Sequence, residues 1–143
     1  MDLSRHQIRE IAFQVLFAKH ANSDADVTAL YQQLIDHDED QPTIVPDYLV
    51  TLVNGVLEHQ DQLDAKIDAQ LANKWSVGRL AYPDLIILRL GLYEMSYSAT
   101  VPTRVALNEA IELAKEFSDD DSRRFVNGVL SKLFDQADQK NKA

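Results

Sequence analysis

The residues from Pro83 to Met95 read PDLIILRLGLYEM, those from Val101 to Phe117 read VPTRVALNEAIELAKEF, and those from Ser118 to Leu130 read SDDDSRRFVNGVL. Apolar side chains recur in the first two segments at steps of three and four residues, which is the spacing of one helix face. Each of these two segments has a proline near its start, where the backbone amide of a helix has no partner. The third opens with three aspartates, which suit the positive end of a helix dipole. The stretch therefore predicts three consecutive α-helices.

The chain before this stretch carries four more helical patterns. The first covers 3–19, and it opens with Ser4 and Gln7 at the spacing of a capping box. Three further apolar stripes run over 24–35, 46–59 and 61–72. We therefore expect an all-α fold of about seven helices, arranged as two small helical bundles that share a core. The length of 143 residues suits a single domain over 1–143.

Three of the four glycines, Gly55, Gly91 and Gly128, lie inside these helical patterns. Glycine in a helix costs about 1 kcal/mol relative to alanine, so we expect a close helix crossing at each position. Two of them belong to a repeated sequence, VNGVL, at 53–57 and 126–130. The repeat suggests a related helix in each half of the chain, and chance is the alternative.

The composition excludes several classes of protein and site. The chain has no cysteine, which excludes disulfides, thiolate metal sites and a cysteine nucleophile. No apolar run approaches the ~20 residues of a membrane span, and the N-terminus lacks the apolar segment of a signal peptide. We expect a cytoplasmic protein that does not enter a membrane.

Patterns typical of catalysis or metal binding are weak. The four histidines are scattered and lack the paired spacing of metal ligands on a helix. The sequence has no glycine loop that would cradle a phosphate and no nucleophile elbow. The acidic run at 36–40 lacks the glycine and the terminal glutamate of a calcium loop, so it is predicted to be a solvated loop. We expect no enzymatic activity, no cofactor and no bound metal.

The net charge is −9, which at first argues against nucleic-acid binding. The acidity is concentrated in 21–72, which has eleven acidic residues and one basic residue, whereas 1–20 and 73–104 are net positive. Arg5 and Arg9 share a face at the start of the first helix, where cations oppose the dipole, and this placement favours phosphate contacts. Arg89 lies within a strongly apolar helix. The alternative is that the Arg89 side chain reaches a carboxylate and that Arg123 and Arg124 are solvated.

Four segments together carry a resemblance to a known family. They are LRLGLYEM from Leu88, VALNEAIELAKEF from Val105, SRRFVNGVL from Ser122 and the opening SRHQIREIAFQVLF from Ser4. In this order and spacing they resemble the NusB family of bacterial transcription antitermination factors. The resemblance covers nearly the whole chain and is weakest over 21–48.

The resemblance implies a function in transcription antitermination. The family binds the boxA element of nascent RNA together with NusE, a ribosomal small-subunit protein, and the complex helps RNA polymerase resist termination on ribosomal RNA operons. Cationic side chains would contact phosphates or bases, and aromatic rings would stack on unpaired bases. Asp121 would repel phosphate, so it is assigned to tuning or to helix capping. The implied RNA-binding residues are Ser4, Arg5, His6, Gln7, Arg9, Phe17, Arg89, Asp121, Arg124 and Phe125. The residues implied to face NusE are Leu80, Asp84 and Leu85.

Two alternatives stay open. NusB-like domains also occur as the RNA-binding part of ribosomal RNA cytosine methyltransferases, and the chain could be such a module standing alone, without catalysis. It could also be an adaptor that binds protein and not RNA. The charge of −9 favours this alternative, and so does a first helix with two arginines where the family often has more. The family includes monomers and homodimers, so the oligomeric state is open as well.

Overall fold

The computed structural model describes residues 3–35, 40–72 and 75–142, with side chains described as far as Ala137. These residues form seven α-helices, one short 3-10 helix and no strand, so the all-α prediction is confirmed. No helix in this part of the chain combines the length and the apolarity that a membrane crossing requires. The α-helices are α1 Arg5–Ala21, α2 Val27–Leu34, α3 Asp47–Glu58, α4 Gln60–Asp68, α5 Tyr82–Tyr97, α6 Thr103–Phe117 and α7 Asp120–Lys142, and the 3-10 helix is Val77–Arg79.

The chain divides into two compact units, 1–54 and 55–143, and the division falls within α3. We call them the first unit and the second unit. The first holds α1, α2 and the start of α3. The second holds the end of α3 and everything after it. The single domain expected over 1–143 stays a prediction.

In the first unit, local caps set where the helices begin. The Ser4 hydroxyl accepts a hydrogen bond from the Gln7 amide at 3.1 Å, and the Gln7 side chain accepts one from the Ser4 amide at 2.8 Å, which is the predicted capping box. The α2 helix begins at Val27 because the Asp26 carboxylate caps it, accepting from the Thr28 amide at 3.1 Å. The predicted start at 24 was therefore early. Of the acidic run at 36–40, residues 36–39 lie outside the described residues.

In the second unit, α5 is the central helix, and α6 and α7 pack against it and against each other. Every residue of α5 from Asp84 to Met95 is buried, including Asp84, Arg89 and Glu94, so the helix is covered on more sides than the one apolar face that the sequence predicted. The α4 helix ends at Asp68, earlier than the predicted 72. The Asp68 carboxylate accepts from the Val77 amide at 3.1 Å and so ties the following loop back to the helix end.

The three helical glycines have different surroundings. A Cβ atom placed on Gly55 would lie 2.1 Å from the Tyr93 ring, and one on Gly91 would lie 2.9 Å from the Ala110 Cβ. At Gly128, which is exposed, a Cβ would meet no described atom within 4 Å. Close approach is therefore confirmed for Gly55 and Gly91, with a ring as the neighbour at Gly55, and it is wrong for Gly128. The two copies of VNGVL thus have unlike environments.

Candidate RNA interface

The N-terminal turn of α1 places two predicted RNA-binding residues, Arg5 and Gln7, in exposed positions. His6 is half-buried, with its Nε2 atom 3.7 Å from a carboxylate oxygen of Glu10. Arg9 is only 3% exposed. Arg5 is therefore the arginine of α1 that is open to a ligand, and Arg9 belongs to the buried side of the helix.

The Arg5 side chain lies against an aromatic ring of α3. Its guanidinium carbon is 3.7 Å from the centroid of the Tyr48 ring. Ser4, also predicted to bind RNA, is exposed, and its hydroxyl is used in the capping box. Phe17, near the other end of α1, is half-buried and packs on Phe13 with 6.0 Å between ring centroids.

The first turns of α7 carry the other outward-facing residues of the predicted set. Asp121 and Arg124 are exposed, and Phe125 is half-buried. The neighbouring Arg123 pairs with Asp120. For Arg124, no ion pair is found among the residues that the structure describes. Its charge is therefore available to an anionic ligand.

Phe125 has an aromatic neighbour that sequence reasoning did not assign to the interface. The Trp75 ring lies 5.8 Å from the Phe125 ring between centroids, at an interplanar angle of 39°. Trp75 is 50% exposed. The two residues are far apart in sequence, so no local pattern connects them, and the only signal was an isolated tryptophan in a loop. We call Trp75, Arg124 and Phe125 the α7 patch.

A buried acceptor lies close to the α7 patch in sequence. The Asn127 Oδ1 atom is buried and has no hydrogen-bond partner among the described residues. The sequence suggested nothing about it, because the same VNGVL pattern leaves Asn54 exposed in α3.

Arg89 has the partner that the alternative interpretation anticipated. Its Nε and Nη2 atoms donate to the two carboxylate oxygens of Asp64 at 2.7 and 2.8 Å, a bidentate ion pair. The Arg89 side chain is 5% exposed and that of Asp64 is 24% exposed. A direct contact between Arg89 and RNA would require this pair to open.

The three residues predicted to face NusE are all buried. Leu80, Asp84 and Leu85 are 7%, 5% and 4% exposed. The Asp84 carboxylate accepts a hydrogen bond from the Ser118 hydroxyl at 2.7 Å, which joins the start of α5 to the end of α6. A large hydrophobic side chain beside these residues, Tyr82, is 50% exposed. Tyr82 is therefore an accessible ring next to the residues predicted to face NusE.

The second unit also contains a cavity of about 360 Å³ beside α5 and α7. None of its lining residues belongs to either predicted set, so the cavity is not part of the candidate site. The lining residues are Lys66, Leu92, Ser96, Tyr97, Leu133, Gln136 and Ala137.

Comparison with known sequences identifies a family over most of the chain. The model of the NusB family matches residues 6–135. A transcription antitermination protein NusB from Limosilactobacillus reuteri (strain DSM 20016) is 55% identical over 141 residues, which is 99% of this chain and 100% of the relative. One from Levilactobacillus brevis is 58% identical over 135 residues, covering 94% of this chain and 95% of the relative.

Solved structures agree with this assignment. T. maritima NusB superimposes with a TM-score of 0.79 at 29% identity, over 94% of this chain and 93% of that one. A chain from a crystal structure of antitermination factors NusB and NusE in complex with dsRNA gives a TM-score of 0.74 at 25% identity, over 92% and 96%. By sequence along nearly its whole length, and by fold, this chain belongs to the NusB family.

Proposed function

We propose that this chain is a transcription antitermination factor that binds boxA-type RNA together with NusE. In this function it joins RNA polymerase in a complex that resists termination on ribosomal RNA operons. Its relatives carry the name transcription antitermination protein NusB, and a similar chain occurs with NusE and dsRNA in a crystal structure. The chain acts in the cytoplasm as a single RNA- and protein-binding domain and catalyses no reaction.

The α7 patch is the observation that carries the RNA-binding part of the proposal. It combines the exposed cation of Arg124 with the tilted ring pair of Trp75 and Phe125. A guanidinium binds phosphate oxygens, while aromatic faces stack on bases, and each stacked base contributes about 1–3 kcal/mol. Unpaired bases can reach such rings, whereas paired bases are held within a duplex. The patch therefore suits single-stranded RNA.

Asp121, in the first turn of α7, opposes phosphate binding because its exposed carboxylate is negatively charged. We assign it to tuning of the RNA contact and to the favourable interaction of a carboxylate with the start of a helix. Arg5 adds a second exposed cation in the first unit.

The NusE contact is assigned to the surface around the start of α5. Tyr82 supplies an exposed ring there, and rings of this type are common anchors in protein interfaces. The predicted residues Leu80, Asp84 and Leu85 are all buried, so we assign them to supporting this surface and not to direct contact with NusE. The Asp84–Ser118 hydrogen bond fixes the helix start on which Tyr82 stands.

The test is RNA binding by fluorescence anisotropy, with a short labelled boxA-type RNA and the full chain, alone and with NusE, at two salt concentrations. We expect binding that weakens as salt rises, because phosphate contacts release counterions, and that tightens when NusE is added. Arg124→Ala should weaken binding about tenfold, the value of a charge-assisted hydrogen bond. Arg104→Ala is the matched control, since it removes the same charge from an exposed residue outside the α7 patch.

Two results would overturn the proposal. Absence of RNA binding with and without NusE would leave the protein-binding adaptor as the better account. Equal loss of affinity in Arg124→Ala and Arg104→Ala would mean that general charge, and not the α7 patch, governs binding.

A further inference from the structure

The contact between Arg5 and Tyr48 is closer than a cation–aromatic contact needs to be. The guanidinium carbon is 3.7 Å from the ring centroid, well inside the ~6 Å over which such pairs attract. Arg5 is the first residue of α1 and is exposed, and Tyr48 is the second residue of α3 and is half-buried. The ring is therefore anchored in the protein, while the guanidinium lies on its outer face.

The kind of partner decides what an arginine can still bind. In the pair of Arg89 with Asp64, a carboxylate takes two donors of the guanidinium and neutralises its charge. An aromatic ring does neither, because it attracts the cation through its face and leaves the N–H donors at the guanidinium edge. The first turn of α1 also holds no acidic residue. Tyr48 thus fixes Arg5 without consuming its charge.

We propose that Tyr48 is a positioning residue for RNA binding. Its ring holds the plane of the Arg5 guanidinium where an unpaired nucleotide can stack on it. The outer face of the guanidinium then stacks on a base, and its N–H edge donates to the adjacent phosphate. An arginine held in this way loses less conformational freedom on binding than a free one, so the contact is preorganised. The inference rests on the proposed RNA-binding function and extends it to a residue outside the predicted set.

The test compares four variants in the anisotropy assay, again with the full chain and a boxA-type RNA, with and without NusE. Tyr48→Leu should weaken binding about two- to fivefold, the value of an exposed cation–aromatic contact, and Tyr48→Phe should bind as the wild type does because it keeps the ring. Arg5→Ala should reduce the slope of log affinity against log salt by about 0.7, the value of one phosphate contact on single-stranded nucleic acid. In the Arg5→Ala background, Tyr48→Leu should have no further effect.

Arg5→Lys keeps the proposal testable if Tyr48→Leu does not fold. Arg5 is exposed, so this change leaves the core intact, and lysine keeps the charge but has no planar group to stack. Arg5→Lys should therefore weaken RNA binding to an extent comparable with Tyr48→Leu. The NMR signal of the Arg5 Nε–H group gives a second measure without RNA, and it should lose its ring-current shift in Tyr48→Leu and keep it in Tyr48→Phe.

Three results would overturn the inference. They are wild-type affinity in Tyr48→Leu, wild-type affinity in Arg5→Lys, and an equal effect of Tyr48→Leu with and without Arg5. If the wild-type chain binds RNA and any of these is seen, this inference alone fails. If the wild-type chain binds no RNA with or without NusE, the proposed function fails and this inference fails with it.

Discussion

The repeated VNGVL sequence provides a matched pair of mutations whose effects on stability should have opposite signs. Gly55 and Gly128 occupy the same place in the repeat, and both lie inside α-helices. Replacing either with alanine removes the helix penalty of glycine, a gain of about 1 kcal/mol. The surroundings then decide the net effect on the free energy of unfolding, because they differ completely between the two sites.

At Gly55 the added methyl group has no room. It would lie 2.1, 2.3 and 2.4 Å from three atoms of the Tyr93 side chain, so the ring must move by more than 1 Å. Tyr93 is 9% exposed and packs against the rings of Tyr97 and His59, with centroid distances of 5.1 and 5.9 Å. Overpacking costs about 1–3 kcal/mol, and disturbing the stacked pair of Tyr93 and Tyr97 adds about 0.5–1.5 kcal/mol. After the helix gain, Gly55→Ala should destabilise the protein by about 2 kcal/mol.

At Gly128 the methyl group meets no described atom within 4 Å, and the position is exposed. Only the helix gain remains, so Gly128→Ala should stabilise the protein by about 1 kcal/mol, or roughly 3 °C in Tm for a chain of this size. We therefore expect the two variants to differ by about 3 kcal/mol in unfolding free energy, although they change the same residue in the same local sequence.

The assay is urea unfolding followed by circular dichroism, with thermal unfolding as a second measure. A third variant, Gly55→Ala with Tyr93→Leu, tests the cause, because the smaller side chain makes room for the methyl group. The cost of Gly55→Ala should fall sharply in the Tyr93→Leu background. Equal stability of Gly55→Ala and Gly128→Ala, or an undiminished cost in that background, would refute the steric explanation.

Three further predictions concern the buried side chains of Tyr31 and Arg89. The Tyr31 hydroxyl is buried without a hydrogen-bond partner among the described residues. Tyr31→Phe should therefore raise the free energy of unfolding at pH 7 by about 1 kcal/mol, measured by urea unfolding. A lower free energy of unfolding in Tyr31→Phe would contradict the prediction. Burial also raises the pKa of Tyr31 from 10.0 to about 12. Because Tyr31 ionises first in the unfolded chain, its titration does not affect the free energy of unfolding below pH 10 and lowers it between pH 10 and pH 12, by at most about 2–3 kcal/mol. Tyr31→Phe lacks this titration, so its free energy of unfolding should fall less over the same interval. Asp64→Ala leaves the buried Arg89 without its carboxylate and should lower the free energy of unfolding by about 2–4 kcal/mol. Lys115→Ala, the control, removes an exposed ion pair and should lower it by under about 0.5 kcal/mol. Similar values for the two variants would contradict the conclusion that the Arg89–Asp64 pair stabilises the fold.

Much of the fold could be predicted because its signals are local. The capping box of Ser4 and Gln7 is visible in four consecutive residues, and the structure forms it as expected. The apolar residues that recur at steps of three and four between Leu85 and Met95 predict a helix, and α5 is that helix. The pattern indicated one buried face, whereas the structure buries every residue from Asp84 to Met95. Helix ends were predicted less accurately. The α2 helix begins later than predicted, after the Asp26 cap, and α4 ends earlier, at Asp68, whose carboxylate accepts from the Val77 amide of the following loop.

Arg124 and Phe125 could be expected in the candidate site from the resemblance, but Trp75 could not, because its place depends on contacts between distant segments. Trp75 joins Phe125 through a ring contact that only the folded chain creates. The identical neighbours of Gly55 and Gly128 give no sign that one faces a tyrosine ring and the other faces solvent. The local sequence predicts the helices that contain Phe125, Gly55 and Gly128, but it does not predict which distant residues lie next to them.

The arginines show most clearly why residue type alone does not define a binding site. Four of them match RNA-binding positions of the family, and the fold gives each a different environment. A carboxylate holds Arg89, burial removes Arg9 from the surface, a ring holds Arg5, and Arg124 stands exposed beside Phe125. A buried arginine paired with a carboxylate contributes to stability first, because the pair takes two of its donors and offsets its charge. An arginine on a ring or in solvent keeps its charge for phosphate. Substitution of Arg89 should therefore lower the free energy of unfolding by several kcal/mol. Substitution of Arg5 or Arg124 should lower RNA affinity and change the free energy of unfolding by at most about 1 kcal/mol, the value of an exposed cation–aromatic contact.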